Sequence, residues 1–492
     1  MAKVDINKYA VDALVMKSKF VLDRKALIKN LESYDIDENL EILDVSLARY
    51  LVHSSHKMET YLAPTSQTEL DSEGEKYLEE FDEKTLYLWK EVESPLTTVL
   101  AKMEVDGVYV DKQKLQQTAE IMKRQLAEIS ANIRHILGEE ININSPQQLG
   151  VALVGQGFVL KKSKTGAIST SKEVLDGLLE DDQTGLVQLI LKYRTINKLI
   201  GTYTQNLIDV LDENSRIHCT FNQTQAATGR LSSVDPNLQN IPIRNLEFGS
   251  LIRSCFCAPD SSRVILSADY SQVELRILAH ISGDKNLIDA FQFDQDVHKR
   301  TAAEMLGITI SDVTKEQRTL GKTLNFALVY QQGSFATSKM LGITMAEAKD
   351  FTEKYFSAFP AVKPLVDSVL IDAKNRGYVE SIFGRRRYFQ NLNSKMFMLR
   401  QIDERAAFNA VLQGSNADLI KIAMIEIYRQ IQYRGLDAKM VLQVHDELVF
   451  EVSKDCVEEL RELVVKIMSN PPIDLAVAIK VDTSVGDSWI KE

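Results

Sequence analysis

Nothing in this sequence suits a membrane or an export route. No run approaches the roughly 18 apolar residues that a spanning helix needs, and the N-terminus, MAKVDINKYAVDALVMKSKF, lacks a continuous apolar signal core. Cysteine is scarce. Cys219, Cys255, Cys257 and Cys456 are the only four in 492 residues, too few for a disulfide framework. Cys255-x-Cys257 lies in the apolar run RSCFCAP, and no other Cys or His pair is spaced to complete a zinc site. Two reduced thiols on a strand is therefore the preferred reading over a metal pair. Glycine and proline are few, at 22 and 10, which suits long uninterrupted helices. Repeats and low-complexity tracts are not evident. An excess of positive charge is missing as well: 58 Lys and Arg face 69 Asp and Glu, a net of −11 that argues at first against a nucleic-acid partner. The distribution removes that objection. Residues 1–95 hold 12 basic against 20 acidic side chains, and the remaining 397 residues hold 46 against 49. A nearly neutral body can carry a basic cleft, because binding follows local potential.

What is present is an ordinary globular composition, 45% hydrophobic and 26% charged, in a chain long enough for about two to four subdomains. Residues 1–90 read as short helices and strands with an acidic tail. Residues 112–137 form one amphipathic helix, with Leu115, Ala119, Met122, Leu126, Ile129 and Ile133 at three- and four-residue steps. NINSPQQLG and KTGAISTSKE read as turn-rich, and another helix is expected over 173–211, so 91–205 is an elongated helical subdomain. RIHCTFNQ and RVILSAD read as strands around a loop, ATGRLSSVDPNLQNIPIR, and strands return in RGLDAKMVLQVHDELVFEV. One sheet split by a helical insertion of about 150 residues follows from this pattern. The fold class is mixed, α+β.

Three segments concentrate chemistry. His445 and Asp446 fall between two apolar runs, as a hairpin turn would place them, and Asp269 ends the strand RVILSAD. Each Asp taken singly fits a turn residue, and Ser271-x-x-Glu274 fits a capping box. Taken as a pair on one sheet, the two carboxylates repel unless a cation bridges them, and hard oxygen ligands suit Mg²⁺. In TKEQRTLGKTLNFALVYQQG, Thr314-x-x-Gln317 fits a capping box, while Arg318, Lys322 and Phe326 share a helix face. No acid lies three or four residues from Arg318 or Lys322, so a polyanion such as a triphosphate would relieve their repulsion; a solvated basic stripe is the alternative. FGRRRYF interleaves three arginines with aromatics, as nucleic-acid contact or a surface loop would, and Arg230 sits on a Gly-flanked loop that could reach a cleft.

Together and in order, these segments resemble the family A DNA polymerases, the DNA polymerase I group. DYSQVELR (269–276) is similar to the family's motif A, RTLGKTLNFALVY (318–330) to motif B and VHDE (444–447) to motif C; TGRLSSVDPNLQNIP, AFNAVLQGSNADL and DVHKRTA also match. The resemblance covers about 90–492. It implies a right hand with an antiparallel-sheet palm (206–284 and 421–492), a thumb (91–205) and helical fingers (285–420), preceded by an inactive remnant of a 3′–5′ exonuclease domain (1–90). It further implies template-directed addition of dNTPs to a primer 3′ end, in replication or repair. Two Mg²⁺ ions, with Mn²⁺ as an alternative, would be held by Asp269, Asp446 and the Tyr270 backbone carbonyl; Glu447 would either help organise them or be solvated beside them. Arg318 and Lys322 would bind the triphosphate beside His298 and Gln272, with Lys322 as proton donor to pyrophosphate. Glu274 resembles the steric gate against a 2′-hydroxyl, Phe326 would pack on the sugar, and Tyr330 would stack near the templating base. Arg230, Gln239, Asn240, Arg405, Asn409, Gln413 and His445 would contact primer-template DNA. A monomer is expected, with no membrane partner, in the cytoplasm at the nucleoid or the equivalent compartment of a viral host or organelle.

Two departures qualify the resemblance. The family usually has Tyr-Gly at the end of the fingers helix, where this chain has Tyr330-Gln331-Gln332-Gly333; Gln favours continuing the helix. Ala327 also replaces a common Gly. Upstream, LDVSLARYL (43–51) looks like the tail of the exonuclease domain, with Asp44 at an acidic position. The only Asp-x-Glu before residue 90, Asp71-Ser72-Glu73, lies in a solvated acidic stretch, and no Tyr-x-x-x-Asp occurs there. Proofreading and a 5′-nuclease domain are both expected to be absent. A single-subunit RNA polymerase is the nearest rival, disfavoured by Glu274 and DPNLQNIP. An inert nucleic-acid clamp would not need the paired metal ligands, and a His-Asp phosphohydrolase would need further His ligands.

Overall fold

The structure, a computed structural model, describes residues 20–30, 43–54, 66–138, 140–160, 168–242 and 248–490. Expectations that fall on 1–19, 31–42, 55–65 and 161–167 lie outside the described residues. The chain divides into two compact units. One comprises Met1–Asp106, Cys219–Gln239 and Val264–Val485, the other Gly107–His218, Asn240–Arg263 and Gly486–Glu492.

The second unit is built on α1 (Lys112–Leu137), which has the bounds the apolar periodicity predicts. Asp111 caps it by accepting from the Lys114 N–H at 2.9 Å, and Gly138, at φ 72°, ends it in the left-handed conformation. Leu115, Ala119, Met122, Ile129 and Ile133 are buried, while Leu126 is half-exposed. The helix expected over 173–211 is broken: Lys172–Asp176 and Leu186–Ile200 are helical, and Gly185, at φ 73°, starts the second piece. Cys255 closes the helix Gly249–Cys255, so the CxC pair does not share a strand, although both thiols are free.

In the first unit a four-stranded sheet is formed by β1 (Arg263–Tyr270), β2 (Ala438–Val444), β3 (Glu447–Ser453) and β4 (Val481–Gly486), in the order β2-β3-β1-β4. The strands near 216–222 belong to separate two-stranded sheets, not to this one, and β4 escaped the sequence reading. β2 and β3 are antiparallel, with Val444 opposite Glu447, so His445 and Asp446 form the expected hairpin turn. His445 takes the left-handed conformation at φ 55°. Between β1 and β2 the chain is mostly helical. It includes α2 (Val273–Ser282), α3 (Val297–Leu306), α4 (Lys315–Val329) and the 38-residue α5 (Phe397–Arg434). The first turns of α5 are exposed, whereas from Ala407 to Met424 nearly every side chain is buried, and α5 packs against α2. A helix buried on all sides belongs to the core.

The first unit also holds a buried ionic cluster. Glu93, Arg385, Asp418 and Lys421 are each 4% exposed or less. Glu93 pairs with Arg385, and with Lys421 at 2.6 Å; Arg385 pairs with Asp418 at 2.7 Å. Here the structure corrects FGRRRYF, since Arg385 is a core residue with two carboxylate partners. Arg386 is bound to Asp82 and Glu380, and Arg387 lies 5.0 Å over the Phe389 ring. These contacts reflect burial and pairing within the protein and leave Arg385 unavailable to a phosphate.

Candidate active site

β1 delivers Asp269 beside the β2–β3 turn, and the Tyr270 N–H donates to the Asp446 backbone carbonyl at 3.1 Å. Burial pushes the Asp446 carboxyl upward, and the Asp269 charge adds to that; the Asn416 hydrogen bond and the Arg230 charge oppose it. Asn416 Nδ2 donates to Asp446 Oδ1 at 2.6 Å. The structure thus sets the strand segment that carries Asp269 against the turn that carries Asp446. Among the described residues no group of three or more His, Cys, Asp or Glu is arranged to hold a metal. An aspartate pair of this kind fits a hard divalent cation whose other ligands are carbonyl, water or phosphate oxygens. Glu447 is 3% exposed, so the solvated reading of it fails.

α2 begins without the capping box expected from Ser271 and Glu274. Gln272 occupies the cap at φ 55° with no side-chain capping bond. Glu274 instead accepts from Arg230 at 2.5 Å and from the Tyr330 hydroxyl at 3.1 Å. A tertiary cation outcompetes a neutral backbone donor for a carboxylate that is 6% exposed. Burial raises the Glu274 carboxyl, partly offset by Arg230. Tyr270 is 5% exposed, and Gln272 Oε1 is buried without a partner.

α4 has the predicted capping box, with Thr314 and Gln317 bonded reciprocally at 2.9 and 3.2 Å. Arg318, Lys322, Phe326 and Tyr330 are half-buried at four-residue steps. Phe326 stacks on Tyr330, with centroids 6.0 Å apart and planes at 21°. The helix carries no acid three or four residues from Arg318, but the fold supplies one: Arg318 Nε bonds Asp296 Oδ2 at 2.5 Å. Asp296 also caps α3, accepting from the His298 and Lys299 N–H groups. His298 is 2% exposed, with Nδ1 3.1 Å from Asn325 Nδ2. Burial, with help from Arg318 and Lys322, lowers His298 to about 4, so it is a neutral imidazole at physiological pH. Gly321 lets α3 and α4 approach: a Cβ there would stand 2.1 Å from the His298 carbonyl oxygen.

Contrary to expectation, Gln331 does not continue α4. It takes φ 51°, and the Gln332 N–H turns back to the Ala327 carbonyl at 2.8 Å. A side-chain-bearing residue fills the left-handed position that glycine favours. Gln239 Nε2 bonds Gln443 Oε1 at 3.0 Å, and Gln443 Nε2 donates to the His445 carbonyl at 2.6 Å. Arg230, Gln239, Asn416, Gln443 and His445 line one cleft. Asn409 Nδ2 lies 3.5 Å from the Tyr330 carbonyl, Gln413 is half-buried, and Arg405 is exposed on the outer part of α5. Asn240 falls in the other unit, where its carbonyl accepts from Tyr203. Asp296, Asn416 and Gln443 went unassigned from the sequence. Asn416 alone carried a signal, as an amide within a helix stretch otherwise rich in apolar residues.

The site joins two aspartates of one sheet, through the Glu274–Tyr330 hydrogen bond, to a helix of spaced Arg, Lys and aromatic side chains. The chain belongs to DNA polymerase family A, whose family model matches residues 112–491. It is 44% identical over 424 residues to DNA polymerase I of Bacillus subtilis (strain 168), covering 85% of this chain and 48% of that protein. It is 41% identical over 415 residues to the thermostable DNA polymerase I of Thermus aquaticus, covering 84% and 49%. The chain thus spans about half the length of the curated relatives it matches. Among solved structures, the POL domain of Pol1 from M. smegmatis, in complex with DNA primer-template and dNTP, superposes with a TM-score of 0.84 at 36% identity, over 91% of this chain and 82% of that one. Among the described residues no helix is long and apolar enough to cross a membrane.

Proposed function

We propose that this chain is a template-directed DNA polymerase that adds dNTPs to a primer 3′ end. The observation that carries the reading is the placement of Asp269 on β1 against the turn that holds Asp446, joined by the Tyr270–Asp446 backbone hydrogen bond, in a family A chain. Asp269, Asp446 and the Tyr270 carbonyl would hold Mg²⁺, or Mn²⁺ in its place. When bound, the metal would favour ionisation of the primer hydroxyl and neutralise phosphate charge. Arg318 and Lys322 receive the triphosphate on α4, and Lys322 gives a proton to the departing pyrophosphate. Arg318 exchanges Asp296 for phosphate as the nucleotide enters. His298, kept neutral, offers the triphosphate a hydrogen bond without adding charge, and Gln272 is assigned to the triphosphate as well. Glu274 closes the space a 2′-hydroxyl would need, Phe326 packs on the sugar, and Tyr330 lies at the templating base.

Arg230, Gln239, Asn240, Arg405, Asn409, Gln413 and His445 contact the primer terminus, template or minor groove of the DNA. Thumb (91–205), palm (206–284 and 421–492) and fingers (285–420) are the partition this reading assigns, with a monomer as the working unit. Absent proofreading is supported by Asp71 and Glu73 lying on the helix Gln67–Glu80, where they bond Gln67 and Tyr77. It is supported too by Asp44, which is spent capping the helix Val45–Val52 and accepting from the Arg24 N–H at 2.9 Å. Primer extension on a defined DNA template tests the reading. Extension with dNTPs and little with rNTPs is expected; equal use of rNTPs would favour the RNA polymerase reading, and trimming of a labelled mismatched primer would refute absent proofreading.

A further inference from the structure

Asn416 lies in the buried part of α5 and is 2% exposed. An amide in such a place is costly unless both its halves are bonded. Only one is: Nδ2 donates to Asp446 Oδ1 at 2.6 Å, while Oδ1 is buried without a partner among the described residues. Packing alone does not account for this residue, since leucine has a similar size and no amide to desolvate. Its one hydrogen bond goes to a carboxylate and is of the stronger, charge-assisted kind. The turned-over amide would set two oxygens against each other, so the orientation of the side chain follows from its partner.

We propose that Asn416 is a positioning residue for cation binding: by gripping Oδ1 it fixes the rotation of the Asp446 carboxylate and leaves Oδ2 presented beside Asp269. The inference rests on the reading of Asp269 and Asp446 as the metal-binding pair. Without the grip the carboxylate turns toward Arg230, whose charge acts on it from the same cleft.

Asn416→Leu keeps the volume and deletes the donor; Asn416→Ala deletes both. Mn²⁺ binding to the full chain, with chain-terminated primer-template and dNTP, is read by electron paramagnetic resonance, alongside the Mg²⁺ dependence of extension on an ordinary primer. Both variants should bind Mn²⁺ about 10- to 100-fold more weakly, and excess metal should restore most of kcat. A role in packing alone predicts near-normal Mn²⁺ affinity for the leucine variant, and that result would overturn the proposal. Thermal unfolding reports whether each variant is folded; if one is not, the other decides on the same criterion. Asp446→Asn is the control for the underlying reading. Undiminished Mn²⁺ binding there would refute the metal assignment itself, whereas lost binding there with normal affinity in the Asn416 variants would refute only the role of Asn416.

Discussion

Replacing Asp296 with asparagine should tighten nucleotide binding. Asp296 does two things: it caps α3, accepting from the His298 and Lys299 N–H groups at 3.0 and 3.1 Å, and it pairs with Arg318. Asparagine caps a helix about as well as aspartate, so Asp296→Asn preserves the first role and removes the charge of the second. The two side chains are 28% and 38% exposed, so solvent screens the pair, and its worth is bounded at roughly 0.2–1 kcal/mol. If a triphosphate must take Arg318 from Asp296, removing that competition lowers KM for dNTP by at most about fivefold, with kcat little changed. Single-nucleotide incorporation against dNTP concentration measures this. In an Arg318→Ala background the same substitution should have no effect on KM. An unchanged or raised KM in the single variant would refute the competition, as would an equal effect without Arg318.

Gly321→Ala should be more damaging, because its Cβ would meet backbone, the His298 carbonyl oxygen at 2.1 Å and the Ala302 nitrogen at 2.9 Å. Overpacking of this kind costs about 1–3 kcal/mol, and displacement of α3 should raise KM for dNTP, both measurable by thermal unfolding and incorporation assays. Gln331→Gly relieves a left-handed residue at φ 51°; strain relief, less glycine's entropy, should leave stability equal or up to about 1 kcal/mol higher in denaturant titrations. Glu93 gives a pH signature. Burial opposes its ionisation, yet Lys421 and Arg385 hold it down at about 2 against an ordinary 4.5. A folded-state value below the unfolded one stabilises above pH 4.5, and the contribution, of order 3 kcal/mol, fades as pH falls from 4.5 toward 2. In Glu93→Gln the melting temperature should fall at neutral pH, because two buried cations lose a partner, and its steepest acid-side decline should flatten.

Local signals were read well from the sequence, whereas long-range pairings were not. α1 was legible because its apolar spacing, Asp111 cap and Gly138 terminator all lie within one stretch of chain. The His445-Asp446 turn was legible for the same reason, and so was the Thr314–Gln317 capping box. The similar pattern Ser271-x-x-Glu274 misled, because Arg230, 44 residues earlier, claims the carboxylate. Asp296 is 22 residues from Arg318, and Arg385 is 292 from Glu93; neither periodicity nor motif carries such distances. The arginines of FGRRRYF looked alike in sequence, but burial separated the core Arg385 from its neighbours. Gln331 was misjudged because helix propensity is weak against the bonds that close the end of α4. The paired aspartates were legible because each follows a continuous apolar run, RVILSA before Asp269 and MVLQV before His445-Asp446.

The central claim is that Asp269 and Asp446 together perform nucleotidyl transfer on a DNA primer. Single-turnover incorporation by Asp269→Asn and Asp446→Asn, with primer-template binding measured on the same samples, tests it most directly. Retained DNA binding with near-complete loss of incorporation in both variants is the expected result. Normal incorporation by either variant would contradict it.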